Sequence, residues 1–218
     1  MFGLVAKKEL ADEEAMVRFQ NGDARAFDLL LHRHSTGVLR FIIKMIGSSK
    51  GTLQRAPTQA EDLLQEVFLK VIENKKKYDS SQKFTTWLYT LTRNRCIDYL
   101  RSENHRHHDS LDASLSRDEG DGAVVLDIVK SRERNQEETI IDKEIQRLLD
   151  GGVEELREEF REVFLLREIE GLTLKEIADI TDTNLSTVKS RLRYAYQNLR
   201  EVFIRAGYFE ERQKAKEV

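Results

Sequence analysis

A chain of 218 residues, 39% hydrophobic and 34% charged, has room for two small domains and enough apolar content to give each a core. Its one proline, Pro57, leaves long helices permitted almost everywhere, and its one cysteine, Cys96, excludes an internal disulfide and a thiolate zinc site. A net charge of −3 excludes a coat of basic residues for indiscriminate nucleic-acid binding, yet the charge is segmented: residues 12–101 hold 15 basic and 11 acidic side chains, residues 102–170 hold 10 and 20. Lys7, Lys8 and Glu9 follow directly on Met1 to Ala6, so no apolar core of a signal peptide is present, and no later stretch approaches a membrane span. These features predict a soluble, cytoplasmic, all-α protein.

From Asp23, the residues Phe27, Leu30, Leu31, Val38, Phe41, Ile42 and Met45 recur at helical spacing until Gly47 and two serines end the run. Thr58 and Glu61 have the spacing of a capping box, which predicts a second helix whose buried stripe is Ala60, Leu63, Leu64, Val67, Phe68, Val71 and Ile72. A basic, polar segment from Lys75 to Lys83 leads to a third helix marked by Phe84, Trp87, Leu88, Leu91 and Leu100, and the three can share a core. Between Ser102 and about Glu138 the pattern dissolves into polar residues with one apolar island, Ala123 to Val129, which reads as an acidic linker. Periodicity resumes through Ile140, Ile141, Ile145, Leu148 and Leu149, is expected to break at Gly151-Gly152, and continues from Leu156 to Gly171. Thr173 and Glu176 form another capping box, a short helix covers Leu174 to Ile180, and a last helix starts at Asn184. The expected organisation is a domain over 12–101, a linker over 102–137, and a helix-turn-helix domain over 138–205.

The stretch LTLKEIADITDTNLSTVKSRLRYAYQNLRE is the most informative. Ile177, Ala178, Ile180, Val188 and Leu192 sit where two short crossed helices need apolar contacts. From Asn184 to Arg200 the charged residues are Lys189, Arg191, Arg193 and Arg200, with no acid, in a half-chain that is otherwise acidic. That asymmetry points to phosphate. The early residues of a recognition helix face the major groove, so Ser186, Thr187, Lys189, Ser190, Arg191 and Arg193 are candidates for base readout or phosphate clamping. The competing reading is a basic, solvated helix face.

STVKSRLRYAYQNL resembles the end of the fourth conserved region of extracytoplasmic-function sigma factors. AEDLLQEVFLKVIENKKKYD and KFTTWLYTLTRNRCIDYLR are similar to successive parts of their second region. The resemblance implies a transcription initiation factor that binds core RNA polymerase and promoter DNA, single-stranded at the minus-ten element and duplex at the minus-thirty-five element. It implies docking on the largest polymerase subunit through Asp62, Leu63, Gln65, Glu66, Phe68 and Lys70. Capture of melted minus-ten DNA would fall to Lys83, Phe84, Thr85, Trp87, Arg93, Asn94 and Arg95, where cations follow the backbone and pocket walls hold a base. Phe84 and Trp87 also lie on the apolar stripe, which suits core better than stacking platform, and Arg93 and Arg95 are the stronger DNA candidates. The resemblance admits an anti-sigma partner. Asp182 and Ser186 stand where family members often have glycine, Arg157 to Glu159 stand where a Leu-Pro pair is frequent, and Ser48 to Thr58 lengthens the first connection. Asp can take the left-handed turn conformation.

Two rivals remain. A helix-turn-helix repressor or activator acting without polymerase would bind its operator tightly alone. A metal-dependent hydrolase would need His105, His107, His108 and Asp109, which lie in the linker without rigid support. His32 and His34 diverge on a helix, and no nucleophile, phosphate loop or paired-carboxylate signature is present. No catalytic residue, metal or cofactor is expected.

Overall fold

The computed structural model describes residues 10–47, 56–110 and 136–208, with side chains at 56, 57, 106–110 and 136–142 outside that description. The Ala123 to Val129 island, most of the Ser48 to Thr58 stretch and the side chains of His107, His108 and Asp109 therefore lie outside the described residues. All regular elements among the described residues are helical.

Helix α1 (Asp12–Gln20) turns into α2 (Ala24–Ile46) at Gly22, whose φ of 101° is open to glycine, and Asp23 caps α2 by accepting from the Arg25 amide at 3.0 Å. Phe19 and Phe27 close the corner with ring centroids 4.8 Å apart. Helix α3 (Ala56–Glu73) begins two residues before Thr58, so the expected capping box falls inside the helix instead of opening it. A 3₁₀ turn (Lys75–Lys77) and a polar loop follow, and α4 (Phe84–Ser110) runs nine residues past Arg101, into the stretch expected to be linker. Ala15 and Met16 of α1, Leu30, Val38, Phe41 and Ile42 of α2, Leu63, Val67 and Val71 of α3, and Phe84, Leu88 and Cys96 of α4 are buried together. Burial drives the Cys96 thiol up to about 12.

Helix α5 (Gln136–Glu155) passes unbroken through Gly151-Gly152. The expected break is absent because Gly152 serves contact: a Cβ there would stand 2.8 Å from Leu199 Cδ2, so glycine lets α5 and α8 approach closely. Chain direction changes at Leu156 and Arg157 instead, ahead of α6 (Glu158–Phe164), which widens into a π-helical turn over Leu165–Ile169. Arg161, buried in α6, ties that corner together: its guanidinium donates to the carbonyls of Val153, Glu154 and Leu156 at 3.1, 3.2 and 2.5 Å, capping the end of α5. Helices α7 (Leu174–Thr181) and α8 (Leu185–Arg205) complete the second group. Val163, Leu165, Leu166, Ile177, Ile180, Val188, Leu192, Ala195 and Leu199 form its interior.

The two groups also pack on each other, α4 against α7 and α2 against α6 and the π turn, so their buried residues join in one cluster.

Candidate nucleic-acid and polymerase interface

The helix-turn-helix is held by local chemistry. Thr173 Oγ1 accepts from the Glu176 amide at 3.3 Å while the Glu176 carboxylate accepts from the Thr173 amide at 2.7 Å, the capping box expected from the sequence. Asp182 ends α7 at φ 50°, ψ 48°, the left-handed conformation anticipated for it. Asn184 then caps α8 and accepts from the Thr187 amide at 2.8 Å. Ser186 and Thr187 spend their hydroxyls on the same Asn184 oxygen, at 2.6 and 2.9 Å, and Ser190 donates to the Thr187 carbonyl at 2.9 Å. Ser186, Lys189 and Arg193 are exposed, and the Arg193 guanidinium lies 5.3 Å from the Tyr194 ring centroid. Arg191 is turned inward, 3.2 Å from the buried Glu162 carboxylate.

The segment before α4 is pinned from below. Gln20 Nε2 donates to the carbonyls of Lys75 and Tyr78 at 2.7 and 2.9 Å, and Glu13 accepts from the Phe84 amide at 3.0 Å. Phe84 is fully buried against His34, Tyr78 and Trp87, so in this arrangement it walls the core and offers no face to a base. Thr85 and Trp87 are half-buried and Asn94 is exposed. The three cations of this set all meet carboxylates: Lys83 lies 2.7 Å from Glu176, Arg93 lies 2.7 Å from Glu162, and Arg95 pairs with Glu66. Burial works against ionisation of Glu176, but the Lys83 ammonium and the Thr173 hydroxyl and amide prevail and bring its carboxyl down to about 2. At Glu162 the balance reverses, because burial outweighs Arg93 and Arg191 and holds the carboxyl above its ordinary range. The Arg95 hydrogen bond pulls Glu66 below its ordinary range.

On α3, Asp62 and Gln65 are exposed and Lys70 is half-buried, whereas Leu63 and Phe68 are buried in the core. Ile72, expected in the buried stripe, is 39% exposed, and Leu69, which the sequence reading passed over, is 55% exposed. Positions 62, 65, 69 and 72 fall on one helix face. Two large apolar side chains on a polar face are the signal that could have found this surface from spacing alone.

Comparison with known proteins places this geometry. Residues 30–106 match Sigma-70 region 2 and residues 146–199 match Sigma-70, region 4, together more than half of the chain. The RNA polymerase sigma-H factor of Pseudomonas aeruginosa is 28% identical over 83% of this chain and 88% of its own length. The ECF RNA polymerase sigma-E factor of Escherichia coli is 29% identical over 85% of this chain and 90% of its own. The fold is shared with CnrH, solved with the cytosolic domain of CnrY, at a TM-score of 0.59 and 19% identity over 88% of this chain and 96% of that one. It is shared with the sigma factor RpoE of Bartonella quintana, solved with the anti-sigma factor NepR, at a TM-score of 0.60 and 21% identity over 83% and 98% of the two chains. The chain belongs to the sigma-70 family, in its extracytoplasmic-function group. Its activity is that of a promoter-specific initiation factor that binds core RNA polymerase and promoter DNA, and the polymerase-independent repressor reading is not favoured. Among the described residues no helix is long and apolar enough to cross a membrane.

Proposed function

We propose a division of labour in which α8 reads the minus-thirty-five duplex, the Lys83 to Arg95 segment holds the melted minus-ten strand, and the outer face of α3 docks on polymerase. The observation that carries it is the exposed face of α8, where Ser186, Lys189 and Arg193 stand in a run from Asn184 to Arg200 without an acidic residue. Thr187, Ser190 and Arg191 flank that face, with Arg191 available once it leaves Glu162. In the minus-ten segment Arg93, Asn94, Arg95 and Lys83 serve the backbone, Thr85 and Trp87 the pocket wall, and Phe84 shapes the wall from behind. On α3 the docking role belongs to Asp62, Gln65 and Lys70 with Leu69 and Ile72, backed by Leu63 and Phe68 from the core, while Glu66 answers to Arg95.

The polymerase performs all chemistry, so the chain catalyses nothing itself and works in the cytoplasm without a cofactor. An anti-sigma protein, of the kind named in the NepR complex, is a fitting partner because it would restrain a factor whose output is set by polymerase access.

Replacing Gln65 and Leu69 together by Ala should leave thermal stability nearly unchanged, since both are exposed, and should lower co-purification with core polymerase at least several-fold. Undiminished co-purification would remove this face from docking. Transcription from cognate promoters by Lys189→Ala and Arg193→Ala, measured with polymerase association intact, tests the α8 assignment.

A further inference from the structure

The cations assigned to two separate DNA contacts converge on one carboxylate. Glu162, 2% exposed, accepts from Arg93 Nε of α4 at 2.7 Å and from Arg191 Nη1 of α8 at 3.2 Å. Nearby, Lys83 of the minus-ten set is held 2.7 Å from Glu176 of the helix-turn-helix. A guanidinium forked onto a carboxylate cannot clamp a phosphate at the same time, so closure subtracts Lys83 and Arg93, and the pair within the second domain subtracts Arg191, from the charge that DNA meets.

Further polar contacts cross the boundary beside its apolar ones. Lys44 lies 2.5 Å from Asp150, Arg161 Nη1 donates to the Met45 carbonyl at 3.0 Å, and the Tyr89 hydroxyl donates to Glu170. Arg40 Nε and Glu170 Oε1 are buried without a hydrogen-bond partner. Orphaned polar atoms and desolvated ion pairs make a boundary that opens more readily than an apolar one of equal size.

We propose that Glu162 is a latch: it closes the second domain on the first through Arg93, and when the domains part it releases that arginine, with Lys83 freed beside it, while Arg191 of its own domain keeps the carboxylate paired. Burial already holds the ionised carboxylate at a cost, which weakens the hold of the closed form. Opening rehydrates the Glu162 carboxylate, the Arg93 guanidinium and the Lys83 ammonium, and DNA phosphates or polymerase, by binding the open form better, shift the equilibrium toward it.

The inference rests on the assignment of Lys83 and Arg93 to DNA made above, and the test separates the two. In the full chain with Cys96→Ala, Glu73→Cys and Gln197→Cys, both exposed, carry a donor and an acceptor dye. Glu162→Gln keeps the shape of the latch and removes its charge, leaving two guanidiniums aimed at a neutral amide. Gly37→Leu opens the boundary by another route, because even a Cβ at Gly37 would stand 3.1 Å from both Glu170 Oε2 and the Tyr89 hydroxyl. Both variants should lose energy transfer, and binding to a short mixed-sequence duplex with a single-stranded overhang at low salt should tighten by about tenfold, as Lys83 and Arg93 reach phosphates. Should Glu162→Gln lose its helical signal, Gly37→Leu decides alone. Wild-type transfer in the folded variants would overturn the latch. Loss of transfer with unchanged affinity for that DNA would leave the latch standing and take Lys83 and Arg93 off the DNA surface.

Discussion

Glu176 has two duties that separate with pH. It completes the capping box of α7 and it receives Lys83 across the domain boundary. Its carboxyl is held down to about 2, below the ordinary value of 4.5, so the stability it supplies is fully present above about pH 4.5 and is lost as pH falls toward 2. Glutamine at the same position preserves the cap but not the charge. The melting temperature of Glu176→Gln should therefore fall below that of wild type at neutral pH, and the gap should close between pH 4.5 and 2. A gap that persists at the acid end would assign the loss to the cap, not to the ion pair.

Between helices, the glycine at 152 shows why sequence signals fail in a specific way. A Gly-Gly pair reads as a breaker because glycine costs a helix about 1 kcal/mol relative to alanine, but α5 accepts that cost in exchange for contact with Leu199 and Val202. Gly152→Ala should change stability by less than about 1 kcal/mol, as better helix propensity offsets a small displacement of the Leu199 side chain. Gly152→Val should lose roughly 1–3 kcal/mol from overpacking, measured by denaturant titration. Periodicity reveals what near neighbours decide and hides what distant ones do. It located α2, the capping box of α7, the left-handed Asp182 and the start of α8, because each depends on neighbours within one turn. It placed Ile72 in the core wrongly, since an apolar stripe does not say where its edge lies. It stopped α4 at Arg101 because polar composition resembles a linker whether or not the backbone is helical. Nor could it pair Arg93 with a carboxylate 69 residues away, a partner chosen by the docking of α4 against the second domain.

At the scale of the whole molecule, net charge conceals how little cation the closed protein offers. On α8, Lys189, Arg193 and Arg200 are exposed while Arg191 is engaged, so about three phosphates can be neutralised. Duplex binding by the isolated chain should be weak, and the logarithm of its association constant should fall with the logarithm of salt concentration at a slope of about −3. Fluorescence anisotropy over a salt series reads this directly. A much steeper slope would mean that the reserved arginines are already in use, and nanomolar affinity at physiological salt would revive the polymerase-independent repressor.

Cys96 gives the molecule a clock. It is the only thiol in the chain, it is buried within the first four helices, and at a pKa of about 12 almost none of it is thiolate near neutrality. A water-soluble thiol reagent can reach it only when α4 lifts from its neighbours, so the rate of modification counts those excursions. Those neighbours include α7 of the second domain, and Cys96 feels the charge of Glu158 there, so parting of the two domains uncovers one side of α4 and should raise that rate. One sulfur atom thus keeps time on how often α4 is uncovered.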